Sequence, residues 1–168
     1  MIRNATLQDR PHFLRLWSAY LREQQKEGSH LLADNHNLYR FLGFFESYVT
    51  GARAGVCPLA IVDEKVVGLC MGGELLSLDE WHTDLGRIFT FWGIYVEPEY
   101  RGQHLSGQLF SKCLESGLEL GADTVETYVR TANKQGQGVA RLFGTHAYIE
   151  QHIADLRGPE VLKGVNNG

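Results

Sequence analysis

Hydrophobic positions along the chain fall into blocks with two different spacings. Residues 2–5 are a short strand candidate ended at Thr6, and Thr6-Leu7-Gln8-Asp9 resembles a capping box with Asp in place of Glu. Phe13, Leu16, Trp17, Tyr20 and Leu21 then recur at i, i+3, i+4, i+7 and i+8, the spacing of one helical face. The polar stretch 22–30, with Gly28, is expected to end that helix. A second helix places Leu38, Phe41, Leu42, Phe45 and Val49 on one side and stops at Gly51. The spacing then shortens. Residues 59–62 and 66–71 read as strands joined by Asp63-Glu64-Lys65. Gly72-Gly73 and the acidic segment 74–84 follow as a strand end or loop, and 87–96 is the most aromatic strand, stopped by Pro98.

Helical spacing returns over 103–120, with Leu105, Leu109, Phe110, Cys113 and Leu114 on one side and Gly121 just past the end. A strand at 124–129, a Gly/Gln loop at 133–138, a short helix starting at Val139 and a final strand at 148–153 complete the order β-α-α-β-β-β-α-β-α-β. No internal repeat or linker interrupts it, so residues 1–168 are read as one domain. Helices interrupt the strands only at certain joints. The expected fold is therefore α/β with a mixed, mostly antiparallel central sheet and flanking helices. The strand-helix-strand unit from Val96 to Thr124 is the parallel crossover.

Composition narrows the function without choosing it. Sixteen basic and twenty acidic side chains give a formal charge of −4, which lacks the basic footprint of a nucleic-acid binder. No run of eighteen apolar residues exists and the start, Met1-Ile2-Arg3-Asn4, has no signal pattern, so neither a membrane nor an export route is expected. Cys57, Cys70 and Cys113 are odd in number and flanked by apolar residues, which fits buried free thiols and a cytoplasmic address. His30, His36, His146 and His152 show no zinc spacing, so no metal is expected. Glycine, at 19 residues, exceeds the average of about 7% and suggests backbone approaching backbone or a ligand.

One run carries chemistry: a buried strand ending at Ile94-Tyr95-Val96, a turn at Pro98, and a helix start holding Gly102, Ser106 and Gly107. The amides of a helix's first turn have no intrahelical partner and carry the positive end of the macrodipole, so this start can take a phosphate if the side chains leave room. Arg101 adds a cation beside it. Two plainer readings stand alongside. The small residues could serve close helix–sheet packing, and Arg101 could pair with Glu97 or Glu99 on the surface.

The segment 94–107 resembles the acetyl-CoA-binding motif of the GNAT family of N-acetyltransferases, Arg/Gln-x-x-Gly-x-Gly/Ala after a strand ending in Val-x-Pro. Arg101 matches the first position, while His104 and Ser106 stand at the two small-residue positions; Val96, Pro98 and Gly102 match common neighbours. The order of elements over roughly 1–155 follows the family, including Asn133 and a helix in which Phe143 takes the place of a Tyr. The resemblance implies a GNAT-like acyl-CoA N-acyltransferase fold and acetyl transfer from acetyl-CoA to a primary amine on a small molecule or peptide. It implies pantetheine pairing with the main chain at Ile94, Tyr95 and Val96, and with Asn133. It also implies phosphates over Gly102, Gln103, His104, Leu105, Ser106 and Gly107 beside Arg101, with Phe143 counted in the same cofactor set.

Phe143 has no proton to give the departing thiolate, so Tyr128 is the substitute acid, and Glu74 is the candidate base. Thr90 and Trp92 share a face of the central strand and are assigned to the acceptor, Trp92 as a pocket wall. If Asp79, Glu80 and Asp84 rim the pocket, they favour a cationic amine. Each of these residues also has a structural reading: Asn133 as a turn residue, Trp92 as core, Glu74 as a solvated strand end, Tyr128 as a structural hydroxyl. A non-catalytic acyl-CoA-binding module is the alternative function. The short tail after Ile153 leaves room for a homodimer in which a neighbour supplies the last strand.

Overall fold

The computed structural model describes residues 1–26, 35–74, 87–129 and 133–142. In order these form β1 (Ile2–Asn4), α1 (Arg10–Lys26), α2 (Asn35–Val49), β2 (Gly55–Val56), β3 (Pro58–Val62), β4 (Lys65–Glu74), β5 (Ile88–Val96), α3 (Leu105–Glu119), β6 (Thr124–Thr127) and α4 (Lys134–Leu142). The sheet runs β1-β3-β4-β5-β6, with β2 added to β4. Every pairing is antiparallel except β5 with β6, the two strands that α3 connects. The mixed sheet expected from the sequence is present.

Two cores lie on the two faces of the sheet. On one face α1 and α2 cover Leu59, Leu69, Met71 and Tyr95; on the other α3 covers Ala60, Val67, Cys70, Phe89, Phe91 and Val96. Phe13, Leu16, Trp17 and Leu21 form the buried stripe of α1, each contributing roughly 1.5–3 kcal/mol by leaving water. Entry to α1 is fixed by Asp9. Its carboxylate accepts two bonds from the Arg3 guanidinium, at 2.8 and 2.7 Å, and one from the Thr6 amide at 2.8 Å. These bonds, that from Arg3 first, hold the carboxyl well below the usual carboxylate range.

The hairpin between β3 and β4 turns on Asp63 and Glu64, both with positive φ, as a two-residue turn between twisted strands requires. Several boundaries differ from the sequence reading. Helix α1 runs on to Lys26 through its polar end, and β4 absorbs Gly72-Gly73. Strand β6 stops at Thr127, two residues early. Residues 134–138, expected as a loop, are the first turns of α4. The cause is Asn133, whose Oδ1 accepts the Gly136 amide at 2.7 Å and whose carbonyl accepts the Gln137 amide at 3.0 Å. It caps the helix that the glycines alone argue against. The expected strand at 148–153, Phe143, and the acidic residues Asp79, Glu80 and Asp84 lie outside the described residues.

Candidate active site

The site begins with an irregularity in β5. Gly93 pairs with Met71 and Phe91 with Gly72, so Trp92 is an extra residue, a β-bulge. Trp92 and Gly93 both face the α1/α2 side, where Trp92 stacks on Phe44 and a methyl group at Gly93 would lie 2.7 Å from the tip of the Tyr20 ring. Gly93 is thus required by a close approach. Beyond the bulge the alternation is reversed: Tyr95 joins the α1/α2 core, and Ile94 and Val96 turn toward α3.

At the same point the parallel ladder with β6 ends. Its last pair is Phe91 with Thr127, and from there β5 and β6 diverge. Residues 91–96 and 127–129 form the two sides of a cleft enclosing about 180 Å³. The cleft passes through the sheet. Leu105, Ser106 and Phe110 of α3 line one mouth, and Tyr20, Glu23 and Gln24 of α1 line the other.

The α3 mouth carries a built-in positive pole. Its first turn has no side-chain cap and no acidic residue, and the first helical bond runs from Gln108 N–H to His104 carbonyl. The amides of Leu105, Ser106 and Gly107 precede that bond. Gly102 has φ of +81° and His104, at the N-cap, φ of +60°. The space for an anion is present, since nothing lies within 4 Å of a Cβ added at Gly102 or Gly107. Close packing of α3 on the sheet is done elsewhere, by Gly117, where a Cβ would sit 3.0 Å from the Phe89 ring. The packing explanation for Gly102 and Gly107 therefore fails.

Arg101 sits at the cleft with defined partners. Its Nε donates to the Val96 carbonyl at 2.9 Å, its Nη2 to Glu23 at 2.8 Å, and the guanidinium lies over the Tyr95 ring. The surface pairing with Glu97 or Glu99 is not what forms. Glu97 instead pairs with Arg15 and Lys65. Arg101 ties α1 to the end of β5, and it takes the carbonyl of Val96 that the sequence reading gave to pantetheine.

The other expected residues divide. Trp92, Ile94, Tyr95, Val96, Arg101, Gly102, Leu105, Ser106, Tyr128 and Asn133 all line the cleft. Gln103 and His104 are exposed and Gly107 half-buried beside it. Thr90 is fully enclosed and donates to Glu126 Oε1 at 2.9 Å, so it does not reach the cleft. Glu74 ends β4 opposite Phe89, on the far side of β5 from β6. Tyr128 is 69% exposed, and its phenol is pushed above its ordinary value by loss of hydration and by neighbouring Glu126. Trp92 donates to the Tyr48 hydroxyl at 3.0 Å.

Sequence reasoning missed Tyr20, Glu23 and Gln24, which line the cleft. Tyr20 was read only as core stripe, and Glu23 and Gln24 as the polar end of a helix. Among the described residues no group of three His, Cys, Asp or Glu could hold a metal, and no helix is long and apolar enough to cross a membrane.

Comparison with known proteins is consistent with this arrangement. The model of the acetyltransferase (GNAT) family matches residues 13–145. A thialysine N-epsilon-acetyltransferase from Bos taurus is 30% identical over 83 residues, 49% of this chain and 49% of that protein. The match thus spans about half the length of the curated relatives. Among solved structures, a mutant of the BH1408 protein from Bacillus halodurans superposes with a TM-score of 0.76 at 18% identity, covering 93% of this chain and 99% of that one. The aminoglycoside acetyltransferase AAC(6')-Iy, in complex with a CoA-containing bisubstrate analogue, gives 0.69 at 16% identity over 94% and 98%. These structures share the fold.

Proposed function

Because the chain belongs to the acetyltransferase (GNAT) family, we propose that it transfers an acetyl group from acetyl-CoA to a primary amine by direct attack on the thioester. The observation that carries this reading is the divergence of β5 from β6 after Phe91 and Thr127, opening onto the uncapped first turn of α3. An extended pantetheine can lie along the unpaired edge of β5 as an added strand, at Ile94 and Tyr95, within reach of Asn133. The amides of Leu105, Ser106 and Gly107, with Gly102, Gln103 and His104 in the turn before them, face the phosphates. The family's model and relatives with CoA bound support acetyl-CoA as the co-substrate.

Tyr128 is the proton donor to the departing sulfur. It lines the cleft and its raised phenol keeps its proton at neutral pH. Trp92, which lines the cleft, walls the acceptor side. Thialysine and aminoglycosides, the acceptors in the names of relatives, are both cationic amines, and a cationic primary amine is the acceptor class we assign. Three free, buried cysteines support a reducing, cytoplasmic setting.

The test uses two readouts. CoA added at about a hundred times its Kd should stabilise the protein by about 2.7 kcal/mol, and ATP should not. Thiol release from acetyl-CoA should rise above background with at least one of thialysine, spermidine or neamine. Binding without turnover on any amine would replace the enzyme by an acyl-CoA-binding module.

A further inference from the structure

Trp92 lines the cleft as the extra residue of β5, and α2 holds it by three side chains. Phe41, Phe44 and Tyr48 stand at i, i+3 and i+7, one face of that helix. Phe44 stacks on the indole with ring centroids 5.4 Å apart, and Phe41 meets it edge-on at 6.4 Å. The Tyr48 hydroxyl accepts the indole N–H at 3.0 Å. A bulged residue lacks a ladder partner, so the orientation of Trp92 rests on these contacts.

The seat of Tyr48 shows what its hydroxyl is for. The ring lies over Gly55 of β2 and Gly73 of β4, which pair in the ladder, and a Cβ at either would collide with it. Two paired strands give up their side chains at one spot to let this ring down on the sheet. Tyr48 is buried, and a phenylalanine would fill the same seat. What the hydroxyl adds is the bond to Trp92. That bond takes the one hydrogen-bonding atom of the indole, so the side chain of Trp92 offers the cleft hydrocarbon alone.

Resting on the transferase reading above, we infer that Tyr48 is a positioning residue for the acceptor, holding Trp92 as a carbon wall for the aliphatic stem of an alkylamine. Methylene groups leave water against the indole at a gain. The hydroxyls of an amino sugar would face a surface unable to bond them, and their desolvation would go uncompensated. Tyr48 touches no substrate and acts only through Trp92.

The experiment measures thiol release from acetyl-CoA with thialysine, spermidine and neamine for the wild type, Tyr48→Phe, Trp92→Phe and the double variant. The thermal shift by CoA and the indole N–H resonances in nitrogen-15 NMR accompany it, the Trp92 signal being the one missing in W92F. The wild type should show a higher kcat/KM for thialysine and spermidine than for neamine. Y48F keeps the ring in its seat and should fold. It should move the Trp92 N–H resonance and raise the KM for the alkylamines about threefold to tenfold, the worth of one hydrogen bond. The KM for acetyl-CoA and the CoA shift should not change. With W92F already present, Y48F should add less than twofold, whereas a merely structural role would add the same factor in both backgrounds. An alkylamine KM within twofold of wild type in Y48F, an equal factor in both backgrounds, or a preference for neamine overturns the inference while the transferase reading stands. A wild type that binds CoA but acetylates none of the amines overturns both.

Discussion

The two halves of β5 belong to one strand and have opposite fates. From Ile88 to Phe91 it is paired on both edges, and Phe89 and Phe91 are buried under α3. From Trp92 to Val96 it keeps β4 but loses β6, and its free edge lines a cleft. The residues that separate the halves are the extra Trp92 and the side-chain-free Gly93, pressed against Tyr20. The first half shows what apolar alternation produces when nothing interrupts it. In the second, the inserted residue coincides with the point where the ladder to β6 ends and the strand's free edge lines the cleft.

Substitutions should separate the halves in size and kind of effect. The largest loss of stability is expected from Phe89→Ala in the paired half: removing a buried ring between Gly72 and Gly117 should cost about 3–5 kcal/mol. Urea denaturation measures it, and the CoA-binding residues are untouched. Gly93→Val, at the junction, should cost about 1–3 kcal/mol by overpacking against Tyr20. Unlike Phe89→Ala it should also weaken CoA binding, because the bulge can no longer seat under α1. A titration calorimetry difference between these two variants at matched folded fraction would sharpen the contrast, and equal CoA affinity in both would break it.

Breaking the tie between α1 and the open half should do less. Glu23→Gln removes a partly exposed ion pair worth about 0–1 kcal/mol, but it also loosens the tie between Arg101 and α1 beside the cleft. A small change in melting temperature with a several-fold change in the KM for acetyl-CoA is the expected result. The smallest effect should come from His104→Gly. Relieving a non-glycine residue at φ +60° should raise stability by about 1 kcal/mol, read as a higher urea midpoint.

The sequence made the paired half legible because burial leaves a period. Phe89 and Phe91 alternate with Thr90, and the α1 and α3 stripes recur at helical spacing. The position of the positive pole was also readable, since Gly102, Ser106 and Gly107 fall at a helix start after a strand. The open half was harder. A bulge has no residue signature beyond a glycine, and Trp92 looks the same to a pattern whether it is paired or extra. Helix α4 was hidden by Gly136 and Gly138, whose low helix propensity argues for the loop that Asn133's cap overrides. The bond from Thr90 to Glu126 was invisible for another reason: the two lie 36 residues apart in sequence, and only the parallel register brings them together. Arg101 was found, but its partner Glu23 lies 78 residues earlier.

The account's central claim is that the unpaired edge of β5 and the first turn of α3 together hold the cofactor. Amide hydrogen exchange, measured residue by residue with and without CoA, tests it most directly. CoA should add protection at residues 93–96 and 105–107 and leave 88–91, already paired on both sides, unchanged. Protection gained elsewhere, with 93–96 exchanging as fast as in the free protein, would contradict it.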